Sequence, residues 1–207
     1  MDFSLQVITE ATFTPISINE AREPVEIETS ESWHDTNLQA ALEQACDDFE
    51  KLTGVPLAQK QYRMTVRGLR GQTALPFSQP LVQIDTVECR SDPREDWEVA
   101  STDDYYVVED RTPVQIVFDS QGYPFISDDF EIRVTYTAGY ADQESIPAKF
   151  KQPIYGLIVH NFINRGDAPA DLPLSLKGMI NRHRIGTAHG FWGYQGRKDR
   201  FGYNGRD

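Results

Sequence analysis

Residues 38–66 read LQAALEQACDDFEKLTGVPLAQKQYRMTV, and the spacing of their apolar residues changes halfway along. In the first half the apolar residues recur every three or four positions, at Leu38, Ala41, Leu42, Ala45, Phe49 and Leu52. This spacing predicts an amphipathic helix over residues 35–53, with acidic residues on its opposite face. Thr36 and Gln39 fit a capping box at the start of this helix.

The second half of the stretch alternates apolar and polar residues, which is typical of a strand. Gly54 and Pro56 separate the two halves, in the order that commonly ends a helix, and the alternating run QYRMTV follows at 61–66. Further short runs rich in β-branched and aromatic residues, separated by turn residues, continue to residue 140. We therefore expect a central antiparallel β region over residues 58–140.

Helical patterns occur on both sides of this β region. A short helix is predicted over residues 17–23, where Ser17 and Glu20 are placed as a capping box and a proline follows. The apolar spacing predicts two more helices, over residues 147–165 and 174–185. Helices from both ends of the chain can therefore pack together as a bundle.

The order of these elements predicts an α+β fold. Its helical bundle and β region make up one domain, residues 1–186, and residues 187–207 form an extended C-terminal tail. Pro153 leaves two alternatives for the third helix: the helix begins late, with Pro153 in its first turn, or it kinks there.

Composition excludes several classes of function. The chain has 207 residues, 39% of them hydrophobic, and a formal net charge of −12. Such a charge argues against a domain that binds nucleic acid by neutralising its phosphates, and against docking on an anionic membrane. The first residues carry neither a basic segment nor a long apolar run, so we expect no secretion signal and no membrane span. Cys46 and Cys89 are far apart in sequence, which favours two buried thiols.

The charge is divided unevenly along the chain. Residues 1–60 contain three basic and twelve acidic residues, a net charge of −9, whereas residues 177–207 contain seven basic and two acidic ones, a net charge of +5. An acidic body with a basic end can attract other copies of itself head to tail, or an acidic partner.

No catalytic, metal or cofactor site is apparent in the sequence. His34, His160, His183 and His189 lack a metal-binding spacing, and the phosphate-cradle and nucleophile-elbow motifs are absent. The acidic pairs at 47–48, 103–104 and 128–129 could suggest a two-carboxylate hydrolase. Their positions at turns and on a solvated helix face favour local structural roles instead.

The tail alternates aromatic residues, glycines and basic residues, and three interpretations remain open for it. It can lack fixed structure, bind single-stranded nucleic acid by stacking, or become ordered on a protein partner. For the third interpretation the candidate partner-binding residues are Phe191, Trp192, Tyr194, Arg197, Lys198, Arg200, Phe201 and Tyr203.

The ordered set of segments resembles the phage head–tail connector (adaptor) family, the ring proteins placed beneath the portal of tailed phages and related prophage particles. The resemblance covers about residues 15–186, and Pro24 and Pro153 depart from the family pattern. It is carried by ISINEAREPVEIE, LQAALEQACDDFEKLTGVPLAQKQY, LPFSQPLVQIDTVE, DDYYVVEDRTPVQIVF, FEIRVTYTAGYADQESIPAKFKQPIYGLIVHNFINRGD and LPLSLKGMINRHRI.

This resemblance implies a structural protein of the virion neck, assembled in the host cytoplasm, with no catalysis and no cofactor. It implies a ring of about twelve copies between the portal protein and the next neck or tail component, a stopper or tail protein. DNA would pass through the ring's channel without specific binding, and the C-terminal tail would dock on the portal. The alternatives are a nucleic-acid-binding protein that acts through its tail and a small hydrolase.

Overall fold

The computed structural model describes residues 2–11, 13–29, 32–67, 74–110, 114–118, 130–164 and 171–184. The strands within these ranges are β1 (Asp2–Thr9), β2 (Lys60–Arg67), β3 (Ala74–Pro76), β4 (Leu81–Arg90), β5 (Glu98–Val99), β6 (Tyr105–Val108), β7 (Gln115–Phe118) and β8 (Glu131–Ala138). The α-helices are α1 (Ile18–Arg22), α2 (Asp35–Thr53), α3 (Ala148–Ile163) and α4 (Leu174–Asn181).

The α+β class predicted from the sequence is confirmed. Helix α2 has the predicted bounds and ends at Gly54, whose φ of 75° is the left-handed conformation that glycine adopts readily. Helix α1 ends before Pro24, and its predicted capping box is present: the Ser17 hydroxyl accepts from the Glu20 amide at 3.2 Å. The predicted tail, residues 187–207, lies outside the described residues.

Three details differ from the sequence-based expectations. Strand β1 lies before the predicted β region and was missed. The capping box predicted at Thr36 does not form, because His34 is the N-cap residue, without a side-chain cap bond, and the Gln39 amide donates to Glu43 at 2.8 Å. Leu52 was placed on the apolar face of α2, but 43% of it is exposed.

Pro153 lies inside α3 rather than in its first turn. The helix begins at Ala148, five residues earlier, with Pro147 as its N-cap residue. Pro153 is buried, so its ring packs in the core at a position where the helix lacks one backbone donor. Helix α4 ends at Asn181, somewhat before the predicted residue 185.

The described strands form two antiparallel sheets. The larger has the order β1-β2-β8-β4-β5 and the smaller the order β3-β7-β6. Strand β8 is central in the larger sheet, and Ile132, Val134 and Tyr136 are buried on the face that packs on the smaller sheet's apolar side chains.

Two separate clusters of buried residues result. The sheet core is formed by the strands and includes Met64, Phe77 and Tyr136. The helical core joins all four helices and includes Phe49 and Leu157. Helices from both ends of the chain therefore share one apolar cluster.

The segments before β2 and after β8 meet where the two cores adjoin. The Gln59 amide donates to the Tyr140 carbonyl at 3.0 Å. Gly139 has a φ of 118°, and a Cβ there would lie 2.2 Å from the carbonyl oxygen of Ala58. The Glu50 carboxylate of α2 accepts from the Leu57 amide at 2.8 Å and pairs with Lys60 of β2 at 2.6 Å. We call these contacts the junction.

Candidate functional site

The partner-binding residues predicted from the sequence are all in the tail and lie outside the described residues. Phe191, Trp192, Tyr194, Arg197, Lys198, Arg200, Phe201 and Tyr203 therefore remain a prediction. Among the described residues, the candidate sites are surfaces and cavities.

No cluster of three or more histidine, cysteine or acidic residues that could hold a metal ion occurs in the described part of the chain. The His34 ring packs against the ring of Trp33 in a tilted arrangement with 3.4 Å between centroids, and the His183 ring lies 5.1 Å from that of Phe150. The His160 carbonyl accepts from the Asn164 side-chain amide at 2.8 Å. These three histidines have packing or hydrogen-bonding roles, and His189 lies outside the described residues.

The acidic pairs show no catalytic geometry where the structure describes them. Asp47 lies on the exposed face of α2, and Asp48 accepts from Gln44 on the same helix at 2.7 Å. Asp103 and Asp104 lie in a turn before β6, in which the Asp104 amide donates to the Ser101 carbonyl at 3.0 Å. The third pair, 128–129, lies outside the described residues.

Both cysteines are buried thiols and form no disulfide with each other, as predicted. Burial raises the pKa of the Cys46 thiol to about 12, and the nearby Glu50 and Asp47 carboxylates add to this effect. A thiol with such a pKa is almost entirely protonated at neutral pH and is a poor nucleophile. Cys46 is therefore a wall residue of a cavity rather than a reactive group.

That cavity opens on the helical side of the junction. It has a volume of about 560 Å³ and lies between the chain that follows β1 and the second half of α2. Glu10, Glu43, Asp47 and Glu50 give its wall a negative charge, opposed by Lys60 alone among the residues that line it. Its apolar lining comes from Ala11, Phe13, Pro15, Cys46 and Ala58.

A second cavity of about 180 Å³ adjoins the first through the Glu50–Lys60 ion pair, because both residues line both openings. Its wall is mainly apolar and comes from β1, β2 and the turn after α2, including Leu5, Val7, Pro56 and Tyr62. Together the two cavities form a trough that is apolar at one end and acidic at the other. Residues 5–15 and 43–62 contain nearly all of its lining.

Strand β1 borders this trough and is an open edge of the larger sheet. Among the described strands it pairs only with β2, in antiparallel register from Asp2↔Arg67 to Thr9↔Gln61. A shift in register between Val7 and Thr9 places Ile8 in a bulge, and Val7 and Ile8 are 43% and 40% exposed. No proline or charged residue protects the edge from Phe3 to Thr9.

The outer face of the larger sheet carries an ionic network around Trp97. The Arg133 guanidinium donates two bonds to Glu88, at 2.8 and 2.7 Å, and Arg90 pairs with Glu131. The guanidinium carbons of Arg90 and Arg133 lie 4.4 and 4.2 Å from the centroid of the Trp97 ring. The charged groups of this network are paired with one another, so the network is a poor candidate for binding a charged partner.

The trough was not identified from the sequence, because its residues are brought together only by the junction. One signal was available, since Phe3, Leu5 and Val7 alternate with polar residues and predict a strand. Within the described ranges, no helix is both long and apolar enough to cross a membrane.

Comparisons with known proteins show where this fold occurs. No known family's sequence profile matches the chain, and no curated protein matches it in sequence. Among solved structures, a chain of the neck of an empty gene transfer agent (GTA) particle, computed with C6 symmetry, superimposes with a TM-score of 0.70 at 19% identity. That match covers 87% of this chain and 95% of the other.

Two further assemblies contain a similar chain. One is the virion of the native gene transfer agent particle, with a TM-score of 0.69, 19% identity and coverage of 87% of this chain and 94% of the other. The other is the neck of the native particle, computed with C12 symmetry, with a TM-score of 0.66, 18% identity and the same coverage. The present chain shares the fold of these chains over nearly their whole length.

Proposed function

We propose that the chain is a structural adaptor of the neck of a phage-like particle, where it forms a ring beneath the portal and joins the head to the tail. The observation that carries this proposal is the shared fold with chains of gene transfer agent necks, which extends over 87% of this chain at a TM-score of 0.70. The ordered resemblance of segments to head–tail connectors supports the same role independently.

The proposed ring has about twelve copies. A related assembly computed with C12 symmetry supports this number. The uneven division of charge along the chain supports head-to-tail contacts, which close into rings when the rotation between copies permits. The partners would be the portal protein on one side and a stopper or tail protein on the other.

In this proposal the protein has no catalytic role. Its net charge of −12 suits a ring through which DNA slides, because like charge disfavours phosphate binding. The protein would be assembled into the neck from the host cytoplasm.

The C-terminal tail is the proposed portal anchor. Its aromatic residues would bury area in grooves of the portal, and its arginines would pair with carboxylates there. Repetition around a ring strengthens a weak single contact. We expect the tail to lack fixed structure until it meets a protein surface, since its many glycines oppose folding in isolation.

Electron microscopy of portal-bearing particles from cells that express the protein tests the ring directly. We expect a ring of the protein beneath the portal with the portal's rotational symmetry. Particles that carry a single copy of the protein, or none at the neck, would contradict the proposal.

Truncation after residue 186 tests the anchor. The truncated protein should melt like the full chain but fail to co-purify with portal-bearing particles. A truncated protein that still joins the particles would remove the anchor from the proposal. A salt-dependent shift of single-stranded DNA by the full chain, lost on truncation, would favour the nucleic-acid-binding alternative.

A further inference from the structure

We infer that the trough between β1 and α2 is a docking site for the C-terminal tail of a second copy of this chain. The inference rests on the proposed function in one respect, because a contact between neighbouring copies presumes that copies assemble. It gives the tail an alternative surface to the portal, since one tail occupies either a portal groove or the trough of a neighbouring copy. The trough itself consists of described residues.

The two ends of the trough differ in chemistry. The apolar end is lined by Leu5, Val7 and Pro56, with Lys51 beside them, and the acidic end by Glu10, Glu43 and Asp47. The Glu50–Lys60 pair at the middle is already neutralised, with N–O at 2.6 Å. Asp47 pairs with Lys51 at 3.5 Å on the exposed face of α2, whereas Glu10 and Glu43 form no ion pair among the described residues. The acidic end therefore keeps an excess of negative charge, which favours a basic segment that also carries apolar groups.

The tail has the matching sequence. Its aromatic block, FWGY at residues 191–194, precedes its basic block, RKDR at residues 197–200, by a few residues. An extended chain rises about 3.3 Å per residue, so the centres of the two blocks are about 20 Å apart. This order places aromatic rings at the apolar end when arginines face the acidic end.

The open edge of β1 adds backbone groups to the site. The outer N–H and C=O groups of an edge strand can accept an extended segment, and the exposed Val7 and Ile8 side chains can pack on it. Uncharged edge strands of this length are normally covered in stable proteins. A tail that lies along the trough passes this edge and covers its apolar end.

The position of the last described residues favours a second copy over the same chain. The His183 ring lies 6.5 Å from that of Phe49, on the core-facing side of α2. The trough follows the stripe of Glu43, Cys46, Asp47 and Glu50 along α2. At 3.6 residues per turn, the middle of this stripe is turned by roughly 100° around the helix from Phe49, and only its Cys46 edge borders Phe49. The chain therefore leaves the fold on a different side of α2 from its own trough, and docking on a neighbour gives the head-to-tail contact that a ring needs.

Photo-cross-linking of the full chain tests the site. Trp192 is replaced by p-benzoylphenylalanine, equal amounts of ¹⁴N- and ¹⁵N-labelled protein are mixed at high concentration, and cross-linked peptides are identified by mass spectrometry. We expect cross-links from the tail to residues 5–15 and 43–62, about half of which join a light to a heavy peptide.

Charge reversal supplies the matched comparison. Glu43→Lys with Asp47→Lys removes negative charge from the trough at two exposed positions and should lower the yield of these cross-links at least tenfold. Glu98→Lys with Glu144→Lys makes the same change of charge at exposed positions outside the trough and should leave the yield unchanged. Equal loss in both double variants would show general electrostatics and overturn the inference.

The remaining outcomes are equally decisive. Cross-links within one isotope only would assign the trough to the chain's own tail and overturn the choice of a second copy. Cross-links confined to other surfaces would overturn the site. Portal co-purification separates the two proposals: if the protein never joins portal-bearing particles but the inter-copy cross-links form in the trough, the proposed function fails and this inference stands.

Discussion

The helical core and the sheet core are similar in size, but their elements form in different ways, because the hydrogen bonds that build a helix are local and those that build a sheet are not. Polar contacts within the helices are local: Ser17 caps its own helix at Glu20, and the Thr53 hydroxyl donates to the Phe49 carbonyl at 2.6 Å. The polar contacts of the sheet join distant strands, as when Tyr136 and Ser78 share a buried hydrogen bond of 3.2 Å. The helices can therefore be predicted from local sequence, whereas the structure of the sheet depends on which strands pair and in which register.

The two cores meet mainly through connecting segments, so the junction decides whether they behave as one body. Within the described residues, the element pairs with extensive contacts join helix to helix or strand to strand. The predictions that follow ask whether the junction couples the layers and which layer is the more sensitive to change.

The largest effect is expected at Gly139. Alanine there would combine a φ of 118° with a Cβ only 2.2 Å from the backbone oxygen of Ala58, which has no side-chain freedom to move away. Gly139→Ala should cost at least about 5 kcal/mol of unfolding free energy, or prevent folding. Yield of soluble protein and denaturant unfolding measure it.

Two other glycines serve as controls for the same substitution. A Cβ at Gly178 in α4 meets no atom within 4 Å, so Gly178→Ala should be neutral or should stabilise by up to about 1 kcal/mol. At Gly156 the Cβ would lie 2.7 Å from the flexible end of Leu176, so an intermediate loss is expected. If Gly139→Ala and Gly178→Ala lowered the free energy of unfolding equally, the close backbone contact at the junction would not be what requires glycine at 139.

The next effect compares one large side chain from each core. Phe49 in the helical core and Phe77 in the sheet core are both fully buried, so Phe49→Ala and Phe77→Ala should each cost about 3–5 kcal/mol. If the junction couples the layers, each variant shifts one common transition. Amide hydrogen exchange measured during denaturation separates the layers, because amides of α2 and α3 follow the helical core and amides of β2 and β8 follow the sheet core.

Separate transitions for the two signals would show that the layers unfold independently. In that case Phe49→Ala would lower only the helical transition and Phe77→Ala only the sheet transition. A Phe49→Ala protein that melts at the wild-type temperature would mean that this side chain contributes nothing to the core.

The sequence predicted the helices well because their signals are local. The bounds of α2 follow from apolar spacing and from Gly54, and α1 from its capping box and Pro24. The failures also have local causes: Thr36 suits a cap in sequence, but the helix already begins at Asp35. Leu52 fits the apolar period, yet it lies near the helix end, where 43% of it remains exposed.

The sheet and the trough could be predicted only in part. Alternation located β2, β4 and β8, but nothing in the sequence indicates that β8 pairs with both β2 and β4. Strand β1 is not bounded by clear turn residues, and its partner β2 lies about 50 residues further along the sequence. The trough combines residues 5–15 with 43–62, a juxtaposition that exists only after β1 pairs with β2 and Glu50 reaches Lys60.

A smaller effect is expected at the ion pair of the junction. Glu50 and Lys60 keep only 16% and 15% of their side chains exposed, and the same carboxylate holds the Leu57 amide. Glu50→Gln can keep the amide contact but loses the charge pair, so it should cost about 2 kcal/mol. Glu43→Gln on the exposed face of α2 is the control and should change the free energy of unfolding by less than about 0.5 kcal/mol.

The smallest effect is a pH dependence that compares one carboxylate from each layer. Hydrogen bonds from Arg133 lower the pKa of Glu88 in the sheet, and a hydrogen bond from Lys151 lowers the pKa of Glu20 in the helical layer. For a carboxylate whose pKa is lower in the folded state, the stabilisation is present above the unfolded pKa and is lost as the pH falls through the folded one. Melting temperatures should therefore fall as the pH drops below about 4.5, the ordinary value for glutamate.

Glu88→Gln should flatten this acid-induced loss more than Glu20→Gln does. The Arg133–Glu88 pair is bidentate and its carboxylate is 19% exposed, whereas the single Lys151 bond reaches a Glu20 carboxylate that is 36% exposed, where solvent screens it more strongly. Melting curves recorded between pH 6 and pH 3 for the wild type and both variants measure the difference. A larger flattening in Glu20→Gln would reverse the order, and the helical layer rather than the sheet would then hold the stronger electrostatic contact.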